Sequence, residues 1–200
     1  MWVSAEMDCE VRRTYNHTSR IRSFTSSFFI DTEGYNYYYT IVFEAQNKVV
    51  HIYDFARQQL IAEITYTGSY DAEITAVASS NGFLYVLRRL AKTIDVYSLA
   101  KCAEFSTCKP DFNITYATLK GFGIRYFSPE GMVTDLLHPE VIFIKCQGSI
   151  IILDIDNKEK ITLLDEIISP ATSVKGYNVA VSRSNLLVTA YPNYIYEYSL

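Results

Sequence analysis

A short pattern recurs four times along the chain, and it constrains the fold more than any other feature of the sequence. Each copy ends with an aromatic residue or Leu, then Asp or Ser, then a large apolar residue; the copies are residues 51–55, 95–99, 151–155 and 196–200. Measured at the Asp or Ser, the spacings are 44 residues (54 to 98), 56 (98 to 154) and 45 (154 to 199). A period of about 40–45 residues is typical of a four-stranded β-unit that stacks on its neighbours.

Up to three further strands are expected around each copy. Near-continuous apolar runs precede the copies at residues 39–43, 83–87, 141–145 and 186–190, and such runs predict strands that are buried on both faces. Small and branched residues come before these runs at 74–79, 132–137 and 177–182, whereas weaker, outer strands follow the copies at 60–65, 102–106 and 160–164. This order predicts an all-β fold of β-propeller blades, with the small residues on the innermost strands, where blades converge.

The predicted blades cover residues 24–67, 73–108, 132–165 and 177–200, and the last of them is incomplete. Residues 1–23 are expected to form an amino-terminal arm or a closing strand, because residues 5–11 alternate between small or apolar and acidic side chains. Two outcomes are expected for the incomplete blade. Either residues 7–11 pair with residues 194–200 and close a four-bladed ring, or the chain is part of a longer propeller, which is the outcome we favour.

The long middle interval contains an insertion at residues 109–131. Loops of this length without regular structure are uncommon in compact domains unless they are functional or disordered. The aromatic content of the segment argues against disorder, so we expect it to pack on one face of the propeller and to carry a binding site. The candidate interaction residues are Phe112, Tyr116, Phe122, Arg125, Tyr126 and Phe127.

The cysteines and the two glycosylation sequons do not decide the cellular compartment of the protein. Cys102 and Cys108 are the best disulfide candidates, although free buried thiols are the alternative that we favour. Asn16 and Asn113 begin Asn-x-Thr sequons, which also arise by chance. We expect a cytoplasmic protein if Met1 is the true start, and a secreted or cell-surface protein if the chain belongs to a longer precursor.

Residues 50–64, VHIYDFARQQLIAEI, resemble the third strand, turn and fourth strand of WD-repeat, YVTN-type and quinoprotein-like propellers. The resemblance extends over residues 38–200. No Gly-His dipeptide occurs, and Tyr53-Asp54 and Leu153-Asp154 stand where WD repeats have Trp-Asp, so the chain resembles degenerate propeller repeats. Its Asn- and Tyr-rich segments are also similar to repeats in large surface proteins of ciliates.

The sequence contains no recognisable catalytic motif. Neither Gly-x-Ser-x-Gly nor His-Glu-x-x-His occurs, and no cysteine pair has the spacing of a zinc site. We therefore predict no catalytic residue, no cofactor and no metal, and we predict that the chain is not an enzyme.

Charge and hydropathy limit the classes of partner that we expect the chain to bind. A net charge of −4 argues against nucleic acid, and no apolar run approaches the roughly 18 residues that span a bilayer. The expected partners are other proteins or further copies of the chain, bound by a protein-interaction or structural scaffold module. The alternative is an extracellular or surface-displayed propeller that binds glycans or builds an assembly, and a propeller enzyme is the least favoured prediction.

Overall fold

In the computed structural model, four antiparallel β-sheets follow one another along the chain. The structure describes residues 21–30, 36–44, 49–54, 59–66, 74–104, 108–135, 137–157, 160–168, 179–181, 185–190 and 194–199. Within each sheet, the strands pair in chain order, so every sheet is a meander. The predicted all-β class is therefore confirmed.

The first sheet contains β1 (Ile21–Ile30), β2 (Asn36–Glu44), β3 (Val49–Asp54) and β4 (Gln59–Thr65). The second contains β5 (Ile74–Ser80), β6 (Phe83–Arg88), β7 (Thr93–Ser98) and β8 (Phe112–Thr115). The third contains β9 (Pro129–Thr134), β10 (Val141–Cys146), β11 (Ser149–Asn157) and β12 (Lys160–Ile168). The fourth contains β13 (Val179–Val181), β14 (Asn185–Ala190) and β15 (Tyr194–Ser199). Two short helices, α1 (Leu99–Glu104) and α2 (Tyr116–Gly121), lie before and after β8.

Apolar side chains fill the space between each sheet and the next. One core lies between the first and second sheets and includes Val50, Ile52, Val77, Val86 and Tyr97. The largest lies between the second and third sheets and includes Tyr85, Val96, Ile114, Ile142, Ile144 and Leu153. A smaller one lies between the third and fourth sheets and contains Phe143, Ile150, Ile152 and Leu186.

Strand β10 shows why the central strands have nearly continuous apolar sequences. Ile142 and Ile144 point into the core shared with the second sheet, whereas Phe143 points into the core shared with the fourth. Since successive side chains of a strand point to opposite faces, burial on both faces requires apolar residues at every position. The buried environments expected for Ile52, Val86, Ile142 and Ile152 are found, and the side chain of Val188 lies outside the described residues.

A buried polar network joins the first sheet to the second. The Tyr66 hydroxyl donates to Asp95 Oδ2 over 3.0 Å and lies 2.6 Å from the Tyr97 hydroxyl. Arg88 Nε is 2.7 Å from the same Asp95 oxygen, and the Arg88 guanidinium lies 5.2 Å from the centre of the Tyr66 ring. Because a buried carboxylate is costly unless it is paired, these contacts allow Asp95 to sit within the sheet.

The outer strand of the second sheet differs from the sequence expectation. Residues 102–106 were expected to form it, but Cys102 lies in helix α1 and the outer strand is β8. The physical reason is local, since Leu99, Ala100, Lys101 and Ala103 favour helix and the Ser98 hydroxyl accepts a 3.4 Å hydrogen bond from Lys101 N at the helix start. Leu99 and Cys102, three residues apart, then bury their side chains on one face.

The segment expected as an insertion is largely regular structure. Residues 109–131 contain β8, α2 and the first residues of β9. Pro129 and Gly131 do not break the strand, because β9 is an edge strand whose pairing with β10 shifts between Lys145 and Cys146. Strand β1 also begins at Ile21, inside the expected amino-terminal arm, and residues 7–11 lie outside the described part of the chain.

Replacing Ile142 with Ala is expected to lower the free energy of unfolding by about 2–5 kcal/mol, because a fully buried side chain would leave a cavity. The matched control is Ile168→Ala in the same sheet, where the side chain is 79% exposed, and its effect should stay within about 0.5 kcal/mol. Urea unfolding curves measure both values. Equal effects of the two substitutions would contradict the proposed core.

Alkaline pH should destabilise the protein through its buried tyrosines. Burial raises the pKa of Tyr85 to about 12, above the unfolded value of about 10, so the fold keeps a neutral phenol that the unfolded chain ionises. The stabilisation is complete below pH 10 and is lost as the pH rises toward 12. Tyr85→Phe should therefore lose about 1 kcal/mol less stability than the unsubstituted protein between pH 8 and pH 11 in urea titrations. Identical losses would contradict a neutral Tyr85.

Candidate functional site

Three connecting segments lie together at one end of the strands of the second and third sheets. They are the β6–β7 turn (residues 89–92), the link from β8 to β9 (116–128) and the β10–β11 turn (147–148). We call this end of the strands one edge of the two sheets. Tyr116 N donates to Lys92 O over 3.1 Å, and Gln147 N donates to Ser128 O over 2.9 Å. These backbone hydrogen bonds hold the three segments side by side.

The link begins with a well-capped helix. Thr115 is the N-cap of α2, and its hydroxyl accepts a hydrogen bond from Thr118 N over 3.3 Å. The helix ends where Phe122 N and Gly123 N donate to Leu119 O and Lys120 O, each over 3.0 Å. Gly123 has a φ of +94°, a backbone conformation that glycine adopts without strain, so this position favours glycine.

Three apolar side chains of the link are anchored in the core between the second and third sheets. Leu119, Ile124 and Phe127 are all buried there, beside residues of both sheets. A link that contributes to the core cannot move independently of the sheets. The segment therefore presents its outward side chains from a fixed backbone.

Tyr116 reinforces the anchoring. Its ring stacks on Phe127 with centroids 6.4 Å apart and an interplanar angle of 8°. Its hydroxyl donates to Arg125 O over 2.6 Å, and Lys92 Nζ lies 5.1 Å from the ring centre on the neighbouring turn. The side chain thus connects the helix, the following loop and the β6–β7 turn.

Other side chains on the link and on the β6–β7 turn point to solvent. Tyr126 is 58% exposed, Leu90 is 47% exposed and Phe122 is 37% exposed, and cationic side chains lie in the same segments. We call this region the cationic aromatic surface; it consists of Leu90, Lys92, Lys120, Phe122, Arg125 and Tyr126. Residues 89–92 and 116–128 together contain four cationic residues and no acidic one.

The six predicted interaction residues divide into two groups. Phe122, Arg125 and Tyr126 are exposed, whereas Phe127 is buried and Phe112 and Tyr116 pack against the core. Sequence reasoning missed Leu90, Lys92 and Lys120. The antiparallel order of strands supplies a signal for Leu90 and Lys92, because it places the β6–β7 turn at the edge where β8 ends.

A buried ion pair lies at the same edge of the third sheet. Lys145 Nζ donates a hydrogen bond to Glu130 Oε2, and both side chains are almost fully buried. The neighbouring Cys146 is a free, buried cysteine, and burial raises the pKa of its thiol to about 12, against a smaller lowering by the hydrogen bond with the Ser128 backbone. The thiol is therefore neutral and poorly nucleophilic at physiological pH.

The opposite edge of the second sheet holds a disulfide between Cys102 and Cys108, whose Cα atoms are 4.7 Å apart, in place of the two free thiols favoured from the sequence. Cys102 is buried against the first sheet, so the bridge ties Cys108, which lies before β8, to the same core. Lys101 pairs with Asp111, whose Oδ2 also accepts a 3.1 Å hydrogen bond from Ser98 N. Buried packing and local polar contacts thus surround the bridge.

The two sequons have different positions. Asn113 lies on β8. With the oxygen and nitrogen of its side-chain amide assigned so that both can form hydrogen bonds, the nitrogen donates to Asp95 Oδ1 over 3.2 Å. The sequon threonine, Thr115, is the N-cap of α2. Asn16 lies outside the described residues, so glycosylation at both positions stays a prediction.

No group of three or more His, Cys, Asp or Glu side chains among the described residues is arranged to hold a metal ion. Within the same part of the chain, neither helix has the length and apolar character needed to cross a membrane.

No protein-family model and no curated protein matches the chain. Similar solved structures include a functionally unknown protein from Desulfotomaculum acetoxidans (18% identity, TM-score 0.59, covering 88% of this chain and 50% of that one). Others are the hydrazine synthase of Kuenenia stuttgartiensis (12%, 0.58, 86% and 45%) and a protein of Bacteroides uniformis provisionally named a 6-phosphogluconolactonase (11%, 0.54, 86% and 49%). The chain thus spans about half the length of each, and at these identities the likeness shows an all-β fold alone.

These matches correct one prediction. From the lack of catalytic motifs we predicted that the chain is not an enzyme, yet two of the structures with this fold carry the names of enzymes. The prediction is contradicted, because a fold that hosts many activities does not exclude catalysis and motif searches find only known arrangements.

Replacing Phe127 with Ala should lower the free energy of unfolding by about 3–5 kcal/mol, because the ring is buried between two sheets. Tyr126→Ala, at the adjacent exposed position, should change it by less than about 0.5 kcal/mol. Thermal and urea unfolding of the two variants compare them directly. A destabilised Tyr126→Ala variant would show that the exposed ring belongs to the core.

Proposed function

We propose that the chain forms blades of a β-propeller and acts as a protein-interaction module through the cationic aromatic surface. The arrangement of the first strands of each sheet supports the propeller. Strand β5 lies beside β1 on one side and β9 on the other, and β9 lies beside β13. Neighbouring first strands with apolar cores between successive sheets are the arrangement expected when blades surround an axis.

The observation that carries the binding role is the exposure of Tyr126 and Phe122 on a core-anchored link, with the exposed Leu90 on the adjoining β6–β7 turn. Tyrosine, phenylalanine and arginine are enriched in protein interfaces, and binding energy concentrates on a few such side chains. Because Leu119, Ile124 and Phe127 fix the backbone, binding there needs little ordering of the loop. Exposed apolar side chains that are grouped, rather than scattered, are typical of interaction sites.

Site-specific photo-crosslinking tests this proposal. A benzophenone amino acid replaces Tyr126 in one variant and Leu137 in another; Leu137 is 57% exposed and lies in the link between β9 and β10, at the opposite edge of the third sheet. In an extract of the cells that produce the protein, position 126 should form discrete protein adducts. An excess of unlabelled protein should compete for them, and an excess of a Phe122→Ala/Tyr126→Ala variant should not.

The Leu137 position controls for nonspecific labelling, because its exposure matches that of Tyr126. The same adducts from both positions, or adducts from position 126 that unlabelled protein does not reduce, would contradict the proposed binding surface. Adducts that contain only a second copy of the chain would identify self-association as the interaction.

A further inference from the structure

We infer that the cationic aromatic surface binds an acidic segment of a partner protein in which Asp or Glu residues alternate with apolar or aromatic ones. This inference rests on the proposed function and adds the chemistry of the partner. Three features of the surface carry it: the sign of its charge, the state of its cations and the apolar groups between them.

The charge of this surface is opposite to that of the whole chain. Its two main segments carry Arg89, Lys92, Lys120 and Arg125 without a carboxylate, although the protein has a net charge of −4. This edge of the second and third sheets is therefore expected to attract anions. Complementary charge of this kind steers association and selects against partners of the same sign.

Two carboxylates close to this edge do not neutralise the cations of the surface, because each has another partner. Asp95 is paired with Arg88, and Glu130 is paired with Lys145. Lys120 and Arg125 are exposed and form no ion pair with any described residue. Their charge is thus available to a partner.

Exposed apolar side chains lie in the same segments as these cations. Along the link, Phe122 is two residues after Lys120 and Tyr126 directly follows Arg125, and on the adjoining turn Leu90 is two residues before Lys92. A segment of carboxylates alone would leave these side chains in water, whereas one that also carries apolar side chains would bury them. The surface therefore fits a mixed acidic and apolar segment better than a purely acidic one.

A nucleic acid fits the surface less well. A protein that binds DNA mainly through phosphate contacts makes about 6–10 of them, whereas this surface has three cations on an acidic protein. Single-stranded nucleic acids also need free aromatic faces for base stacking. The Tyr116 ring is stacked on Phe127 and faces Lys92, so only Phe122 and Tyr126 are left on these segments for base stacking.

Fluorescence anisotropy with a synthetic probe tests the inference. The probe is a labelled 12-residue peptide of four Glu-Glu-Phe repeats, and two controls replace either every Glu with Gln or every Phe with Ser. The protein should bind the probe about tenfold or more tightly than either control peptide, and the affinity should fall as salt is raised from 50 to about 300 mM.

Matched charge variants locate the binding. Lys120→Glu/Arg125→Glu should weaken probe binding about tenfold or more. The control Lys109→Glu/Lys160→Glu makes the same change in net charge at exposed positions near the opposite edge, and it should weaken binding less than twofold. All four side chains are exposed, so both variants should keep the thermal midpoint of the unsubstituted protein.

Several results would overturn the inference. They are equal binding of the Glu and Gln peptides, equal effects of the two charge variants, and no probe binding at about 1 mM protein, a concentration that detects even weak complexes. Tighter binding of a 12-nucleotide oligothymidine than of the probe would assign the surface to nucleic acid. If position 126 crosslinks in the cell extract to partners without acidic segments, the proposed function stands and this inference fails.

Discussion

The second and third sheets are apolar on both faces, and the need to cover all of these faces determines how the rest of the molecule is built. The second sheet buries Ile52 and Val50 of the first sheet on one face and Ile142 and Ile144 of the third on the other. Apolar burial of this kind stabilises by about 25 cal/mol per Å² of surface removed from water. Each sheet therefore depends on its neighbours for stability, as the blades of a stacked repeat do.

The cationic aromatic surface depends on the same packing. The link after β8 could cross the edge of the sheets in many ways, but Leu119, Ile124 and Phe127 complete the core between the second and third sheets. Their burial forces Arg125 and Tyr126 outward, because the two residues stand between Ile124 and Phe127 in the chain. A single set of apolar contacts thus stabilises the domain and presents the side chains proposed to bind a partner.

The strands with continuous apolar sequences were the part of the fold most accessible from the sequence. Burial on both faces leaves a pattern that no loop shares, so the runs at 83–87 and 141–145 were placed correctly in β6 and β10. Helix α1 was missed because six residues give no helical periodicity, although Ser98 and the following helix formers mark its start. Strand β8 was missed because its four residues, Phe112–Thr115, stand among prolines and glycines that predict a loop.

The site could be predicted only in part, for a related reason. Aromatic composition singled out the link, but composition does not distinguish Phe127, which stabilises the core, from Tyr126, which faces water. That distinction depends on the direction of each side chain relative to a core that two separate sheets create. Lys92 was also missed, because its place beside Tyr116 follows from the pairing of Thr93 with Thr115, and strand β8 itself was not predicted.

Irregular pairing of β5 and β9, the first strands of the second and third sheets, places further polar residues at the edge that carries the cationic aromatic surface. The pairing shifts between Ile74 and Ala76 in β5, and it shifts in β9 where Lys145 and Cys146 of β10 meet Gly131 and Pro129. Thr75 and Glu130 are the residues left between the paired positions. A β-bulge redirects a side chain and lets a strand end accept a polar residue that regular pairing would bury without a partner.

The two bulge residues differ in whether their polar groups have a partner. Glu130 has Lys145 as its partner, whereas the buried Thr75 hydroxyl has no hydrogen-bond partner among the described residues, a state that costs about 1–3 kcal/mol. At the other edge of the second sheet, the β5–β6 turn is a tight two-residue connection at Asn81 and Gly82, and the Cys102–Cys108 bridge closes the loop beside it. The unpaired Thr75 hydroxyl thus costs stability at the edge that carries the cationic aromatic surface, whereas the disulfide adds stability at the other, and chemistry with a partner is expected where stability has been given up.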